Sequence, residues 1–407
     1  MSILRRRATC LSQHGGVESG RTGAMRNVWI GTATFVILML LRLSHAAEFS
    51  CAAGDVACLR AAINAANGNG EANTLTLEAG TYTVTTVDNP TDGANGLPSI
   101  SGTLTIRGAA PRITVEREVT PSGAPEEVLI SKAMPPVIVE RAASAPFFRL
   151  FHVAATGNLT LDGLTMAGGN IVGEGGSLRN RGRTVVTHST LTDNAADYGG
   201  GVSNEGALTV TDSAIVRSRA HAGAGILNRG TLTVVNATIA DNAADEGGGI
   251  ANLGWGPVVI TNATVARNSA DGLFGGGGIA NLGSGTVALQ NTILALNTAP
   301  GVLGPDCFGR VISRGHNLLG DTADCTIGRQ SSDLVGDPGV GDFADDGASG
   351  HVYFPPLPAS RAIDAGDSAA CPPADQLGHP RLNVCDIGAV ECTPPRCMQT
   401  SLSRRTR

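Results

Sequence analysis

The chain has 407 residues and a formal net charge of −6, and Lys132 is its single lysine. No basic block stands inside the expected folded region, which argues against nucleic acid as a partner. The length exceeds an average domain, but a repetitive coil spends residues differently, and one elongated domain with caps accounts for it.

Residues 1–24 are a polar, Arg-rich extension, and Met25 is a candidate start of its own. Residues 25–47, "MRNVWIGTATFVILMLLRLSHAA", place an Arg before an apolar run and small residues after it. That is the pattern of a secretory signal peptide. The run is short and interrupted by Arg42, which argues against a membrane span. The mature chain is therefore expected to be secreted or held at the cell surface, with no transmembrane anchor.

Residues 48–74 are expected to cap the N-terminal end. In "ACLRAAINAAN" (57–67), Leu59, Ile63 and Ala66 recur at helical spacing, so a short amphipathic helix should cover the first strands.

Residues 75–320 carry a repeat. A phrase such as "ADNAADEGGGIAN" closes on Asn180, Asn204, Asn228, Asn252 and Asn281, at steps of 24, 24, 24 and 29 residues. The pair Val115–Arg117 and Val139–Arg141 is also 24 apart. Within a period, apolar residues alternate over short runs separated by glycines. The apolar columns are Leu208/Leu232/Val258, Val210/Val234/Ile260, Ile215/Ile239/Val265 and Val202/Ile226/Ile250/Ile279. This argues strands rather than helices. Three short strands with their turns fill about two dozen residues at about 3.3 Å each. The expected fold is all-β: a right-handed parallel β-helix of roughly ten rungs, stacked about 4.8 Å apart. The Gly triplets 199–201 and 247–249 suit tight corners. The closing Asn is expected at a corner in the left-handed region, its amide bonded from rung to rung.

Residues 321–397 are Pro/Gly/Asp-rich and are expected to cap the C-terminal end; residues 398–407 form a basic tail. Eight cysteines follow the leader: Cys51, Cys58, Cys307, Cys325, Cys371, Cys385, Cys392 and Cys397. An even number in an exported chain points to disulfides. Adjacency suggests 51–58, 307–325, 371–385 and 392–397, although sequence does not fix connectivity. None has the CxxC spacing of zinc sites, so no metal ligands are assigned.

Two stretches carry a family resemblance. "CLRAAINAANGNGEANTLTLEAGTYTV" resembles the CSLREA motif that opens many bacterial exported β-helix proteins, with Ala57, Cys58 and Ala61 departing from its Cys, Ser and Glu. "DPGVGDFADDGASGHVYFPPLPASRAIDAGD", "GHPRLNVCDIGAVE" and "DCFGRVISRGHNLLGDTADC" are similar to the C-terminal region called choice-of-anchor Q. With the repeats, the resemblance spans roughly residues 50–391. It implies an exported β-helix and no particular reaction.

Stacking turns sequence columns into ladders. One column carries Asp193, Arg217, Asp241 and Arg267, an alternating row expected to form surface ion pairs. Four residues on stand Asp197, His221, Asp245 and Asp271, with Tyr198 alongside and Phe274 in the insertion that lengthens one repeat. This is the strongest site candidate. As a catalytic set, Asp197, His221 and Asp245 place carboxylates one or two rungs apart, as in glycoside hydrolysis. As a binding set, Tyr198 and Asp271 join them to hold a glycan or, through oxygen ligands alone, Ca²⁺. The bland alternative is an acidic, solubilising turn edge. No cofactor other than that Ca²⁺ is implied. "RGHN" (314–317) resembles a Gly-His-Gly motif without its last Gly, and Asp345–Asp346 falls in the C-terminal pattern; neither is taken as a site. The sequons at Asn158, Asn236 and Asn262 follow from Thr-rich strands and say little of glycans. Trp255 is the only tryptophan outside the leader, which argues against a long sugar-stacking groove. The sequence thus favours an exported interaction, adhesion or structural protein that meets a glycan or cell-surface ligand. The alternative is a polysaccharide lyase or hydrolase acting through Asp197, His221 and Asp245.

Overall fold

The structure, a computed structural model, describes residues 46–109, 136–301, 303–345, 350, 352–382 and 384–392. Nearly all of the expected signal peptide, Val115–Arg117, Asp346, Cys397 and the basic tail lie outside them. The chain forms a parallel β-solenoid of about nine turns. Each regular turn contributes to three walls. The first wall stacks Phe151–Val153, Leu178–Asn180, Val202–Asn204, Ile226–Asn228, Ile250–Asn252 and Ile279–Asn281 in parallel register. The second runs from Ala72–Leu77 through Thr103–Gly108, Asn158–Asp162 and Arg183–Thr187 to Cys325–Gly328. The third runs from Gly80–Val84 to Leu334–Val335. The residues predicted to line the core do so: Leu208, Val210, Ile215, Ile226, Leu232, Val234, Ile239 and Ile250 are at most 1% exposed. Alternation puts every second side chain inward, and no single rung encloses them alone.

A fourth, shorter side was not foreseen. Asn170–Glu174 pairs with Ala195–Tyr198, and Ala243–Ala244 with Ser269–Ala270. Parallel bridges at Arg219 and Ala222 join the two pairs. These pieces of two to five residues, most of them alanine-rich, are too short to show a period of two.

The closing Asn residues are buried, and their amides bond one to the next as expected. Asn180 Nδ2 donates to Asn204 Oδ1 at 2.7 Å, and Asn204, Asn228 and Asn252 each repeat the bond to the following rung at 2.7–2.8 Å. The expected left-handed conformation is not theirs. These Asn end extended strands, and positive φ falls in two other columns. His188, Asp212, Asn236, Asn262, Asn291 and His316 turn the chain from the second wall to the third (φ 46–55°). Asp193, Arg217, Asp241, Arg267 and Leu296 turn it into the fourth side (φ 53–63°). Sharp reversals set these conformations, and the amide ladder needs only a straight strand end.

The glycine triplets do two jobs. Gly199, Gly223 and Gly247 have φ of 60–66°, where a side chain is strained. Gly201 needs its hydrogen for a different reason: a Cβ there would sit 2.5 Å from the Gly225 carbonyl oxygen of the next rung.

At the N-terminal end the predicted helix is present as Val56–Asn69, with Leu59, Ile63 and Ala66 buried on the first rung. Asp55 caps it by accepting from Cys58 N at 2.8 Å, and the Cys51–Cys58 disulfide ties it to the strand Glu48–Cys51. Cys307–Cys325 and Cys371–Cys385 are also bonded, as adjacency suggested. The C-terminal segment departs from expectation. Residues expected to close the end of the coil run back along its third wall. Val352 and Phe354 pack on the outward Ala214, Val216, Ala240 and Ala266. Gln376 Oε1 accepts from Thr238 Oγ1 at 2.6 Å, and Ala389 N donates to Thr264 Oγ1 at 3.1 Å. Third-wall residues of these rungs carry small or apolar outward side chains, a surface that water disfavours and a flat segment covers. Asn236 and Asn262, both in sequons, lie buried beneath it and bond to Ala374 O and Asp386 O. His316 is also structural, with Nδ1 2.9 Å from Ala365 O.

Candidate functional site

The fourth side brings the predicted column together. Its backbone is continuous from rung to rung: His221 N donates to Asp197 O at 2.8 Å, Asp245 N to His221 O at 3.0 Å, and Gly272 N to Asp245 O at 2.7 Å. Asp197, His221 and Asp245 therefore stand in register, and the pairing of Ala244 with Ala270 sets Asp271 beside Asp245. One side-chain pair forms among them: His221 Nδ1 lies 3.0 Å from Asp245 Oδ2. Tyr198 flanks His221, with ring centroids 6.4 Å apart. His221 and Asp245 are 67% and 55% exposed, so water screens the pair.

His221, Asp245 and Asp271 line a recess of about 470 Å³. Its floor is alanine (Ala195, Ala220, Ala243 and Ala244 among them), and Arg219 and Ser269 complete its polar rim. Asp197 and Tyr198 sit beside it, outside the lining. The small alanine side chains leave the floor low between the longer side chains of Arg219, His221, Asp245 and Asp271. The recess is broadly open to solvent. Among the described residues, no three His, Cys, Asp or Glu side chains converge closely enough to hold a metal ion.

The alternating column forms pairs rather than a continuous ladder. Arg217 Nε lies 3.4 Å from Asp193 Oδ2, and Arg267 Nε 3.0 Å from Asp241 Oδ1. Arg267 also lies over the rings of Phe343 and Phe354, at 6.0 and 5.7 Å, and so pins the returning segment.

Two polar constructions escaped the sequence reading. One is a second buried amide ladder at the start of the fourth side. Asn242 Nδ2 donates to Asn268 Oδ1, Asn268 to Asn297, and Asn297 to Asp306, at 2.8–2.9 Å. Burial pushes the Asp306 carboxyl up to about 6. The signal was in plain view, one residue after the Asp193 column. The other is a charged network over the N-terminal part of the first wall. Arg179 reaches Glu205 at 2.7 Å and Glu174 at 3.2 Å, Arg229 reaches Glu174 at 2.7 Å, and Arg181 reaches Asp92 at 2.7 Å. Beneath it, His152 is 1% exposed, with Nδ1 2.9 Å from Ser99 Oγ and Nε2 3.2 Å from Asp92 Oδ2. Burial, with Arg149 nearby, pushes the imidazole down to about 4, and the Arg181 hydrogen bond holds the Asp92 carboxyl below its ordinary range. The buried Arg149 guanidinium donates to Asp92 O, Asn95 Oδ1 and Glu174 O at 2.9–3.0 Å. The network locks the irregular 88–100 loop onto the wall. Arg181, Glu205 and Arg229 alternate at 24-residue spacing and were legible; Asp92, Ser99 and His152 come from the aperiodic early part and were not.

No protein-family model matches the chain. No curated protein matches it in sequence. The fold and this geometry therefore carry the functional argument. Among the described residues, no helix is long and apolar enough to cross a membrane.

Proposed function

We propose that this is an exported or surface-held β-solenoid whose role is to bind an extracellular glycan ligand through the fourth-side recess. One observation carries the reading: a concave site of about 470 Å³ with His221, Asp245, Asp271 and Arg219 displayed over an alanine floor. The third wall lies under the returning segment, and the charges over the N-terminal part of the first wall bind one another. Three disulfides in the described chain fit an oxidising compartment. The leader-like residues 25–47 point the same way. The CSLREA-like opening and the choice-of-anchor-Q-like close, as resemblances, support the same reading.

The second reading is a polysaccharide lyase or glycoside hydrolase using Asp197, His221 and Asp245. The 3.0 Å contact of His221 with Asp245 inside a recess favours it. Their exposure opposes it, because a group that works as acid or base gains its tuning from burial and fixed neighbours. Product release from acidic and neutral polysaccharides by the purified, disulfide-bonded protein separates the two. Binding without cleavage is expected. Cleavage abolished in an Asp197→Ala/Asp245→Ala double variant would establish the enzyme reading instead.

A further inference from the structure

We infer that the recess selects an amine-bearing oligosaccharide, of the glucosamine type, over polyuronates; this rests on the glycan-binding reading above. The sign of the site comes first. Asp245 and Asp271 line the recess, and Asp197 and Glu246 adjoin it in the same and the next column. Against these four carboxylates stand Arg219 and His221, and His221 is already engaged by Asp245. A concave surface with a low-dielectric floor concentrates that field, so cations are enriched and polyanions repelled.

The shape selects an oligomer. Ala195, Arg219, Ala243 and Ser269 follow one another in the rung-to-rung pairing of the fourth side. Three rung spacings make the recess about 14 Å long, parallel to the coil axis. Next to Asp271, outside the recess lining, stands an apolar ledge. The insertion that follows Asp271 projects Leu273 and Phe274, 80% and 47% exposed. Phe274 is steadied by Phe308, with ring centroids 6.0 Å apart, and Pro300 from the next rung joins the lining. Such a ledge takes the C–H face of a sugar ring, while the carboxylates take its ammonium and hydroxyl groups and Arg219 donates to ring or hydroxyl oxygens.

A basic peptide satisfies the charge but not the surface. The backbone groups of the fourth side are spent in rung-to-rung pairing, which leaves no strand edge for an added strand. The alanine floor offers no pockets for alternate side chains.

The test is calorimetric titration of the full exported protein with four hexamers: glucosamine, N-acetylglucosamine, galacturonate and lysine. Expected is binding of the glucosamine hexamer at least about tenfold tighter than the other three, weakened by added salt. Asp245→Asn and Asp271→Asn should each loosen it by about fivefold or more with unchanged unfolding midpoints, because these side chains are exposed. Galacturonate binding as tight as glucosamine, insensitive to both variants, would overturn the selectivity and leave glycan binding standing. Equal binding of the acetylated hexamer would remove the role of the amine, and tighter binding of hexalysine would overturn the glycan assignment. Binding of no oligosaccharide at all would sink the binding reading itself.

Discussion

The amide ladders and the Asp197–Asp271 column recur at the same rung spacing, yet they are opposite kinds of site. In the first-wall ladder the residue never changes from Asn180 to Asn281, every member is at most 8% exposed, and each inner amide has a partner above and below. In the exposed column the register is kept while the residue changes, Asp, His, Asp, Asp, and only His221 and Asp245 meet. Identity kept at a buried position reflects a bond that each rung must complete for the next. Variety at an exposed position is tolerated by the fold and is therefore open to a ligand.

The comparison breaks most readily inside the second ladder. Asn268→Leu removes the acceptor for Asn242 N and Nδ2 and the donor to Asn297. A loss of about 3 kcal/mol or more is expected in urea unfolding, since several buried groups lose partners. Asn242→Ser should cost less, because Ser218 already occupies that position one rung earlier and bonds to Val216 O at 3.3 Å. Equal losses would mean that the amide chain is incidental. Next in size is Gly201→Ala, expected to cost about 2 kcal/mol because the new Cβ meets the Gly225 oxygen and Ile215. A neutral outcome would show that the rungs can spread.

The first-wall network sharpens the contrast through pH. His152 is held near 4 against an ordinary value of 6.5. The unfolded chain takes up that proton first, so the stability tied to the neutral imidazole is full above pH 6.5 and is lost as pH falls toward 4. Asp306, raised to about 6, acts the other way: its contribution is present below pH 3.8 and lost as pH rises toward 6. The informative quantity is therefore His152→Gln minus wild type, expected to change by up to about 3 kcal/mol between pH 7 and pH 4. A flat difference would mean the imidazole is solvated. The smallest effect should come from Arg217→Ala, below about 1 kcal/mol and vanishing in high salt, as suits a screened pair.

Much of the fold was legible. The period, the inward columns and the capping helix follow from spacing that a stacked coil makes spatial, whereas adjacency only suggested the three cysteine pairs that are found bonded. The amide ladder was anticipated but its backbone was not, because Asn is compatible with both the left-handed corner and the strand end, and only the position of the reversal decides. The fourth side was hidden by the brevity of pieces such as Ala243–Ala244. The path of residues 352–392 was hidden because nothing in their Pro/Gly-rich pattern tells an end from a side. Of the site, the column was visible and the recess was not: its floor is alanine, which has no chemistry to notice.

The most direct test is urea unfolding of Asn228→Ala and Asp245→Ala side by side. Asn228 bridges Asn204 and Asn252 inside the coil, whereas Asp245 is 55% exposed. The ladder variant should lose about 2–4 kcal/mol and the column variant less than about 1. A large loss for Asp245→Ala with little for Asn228→Ala would contradict the division, making the exposed column structural and the buried ladder dispensable.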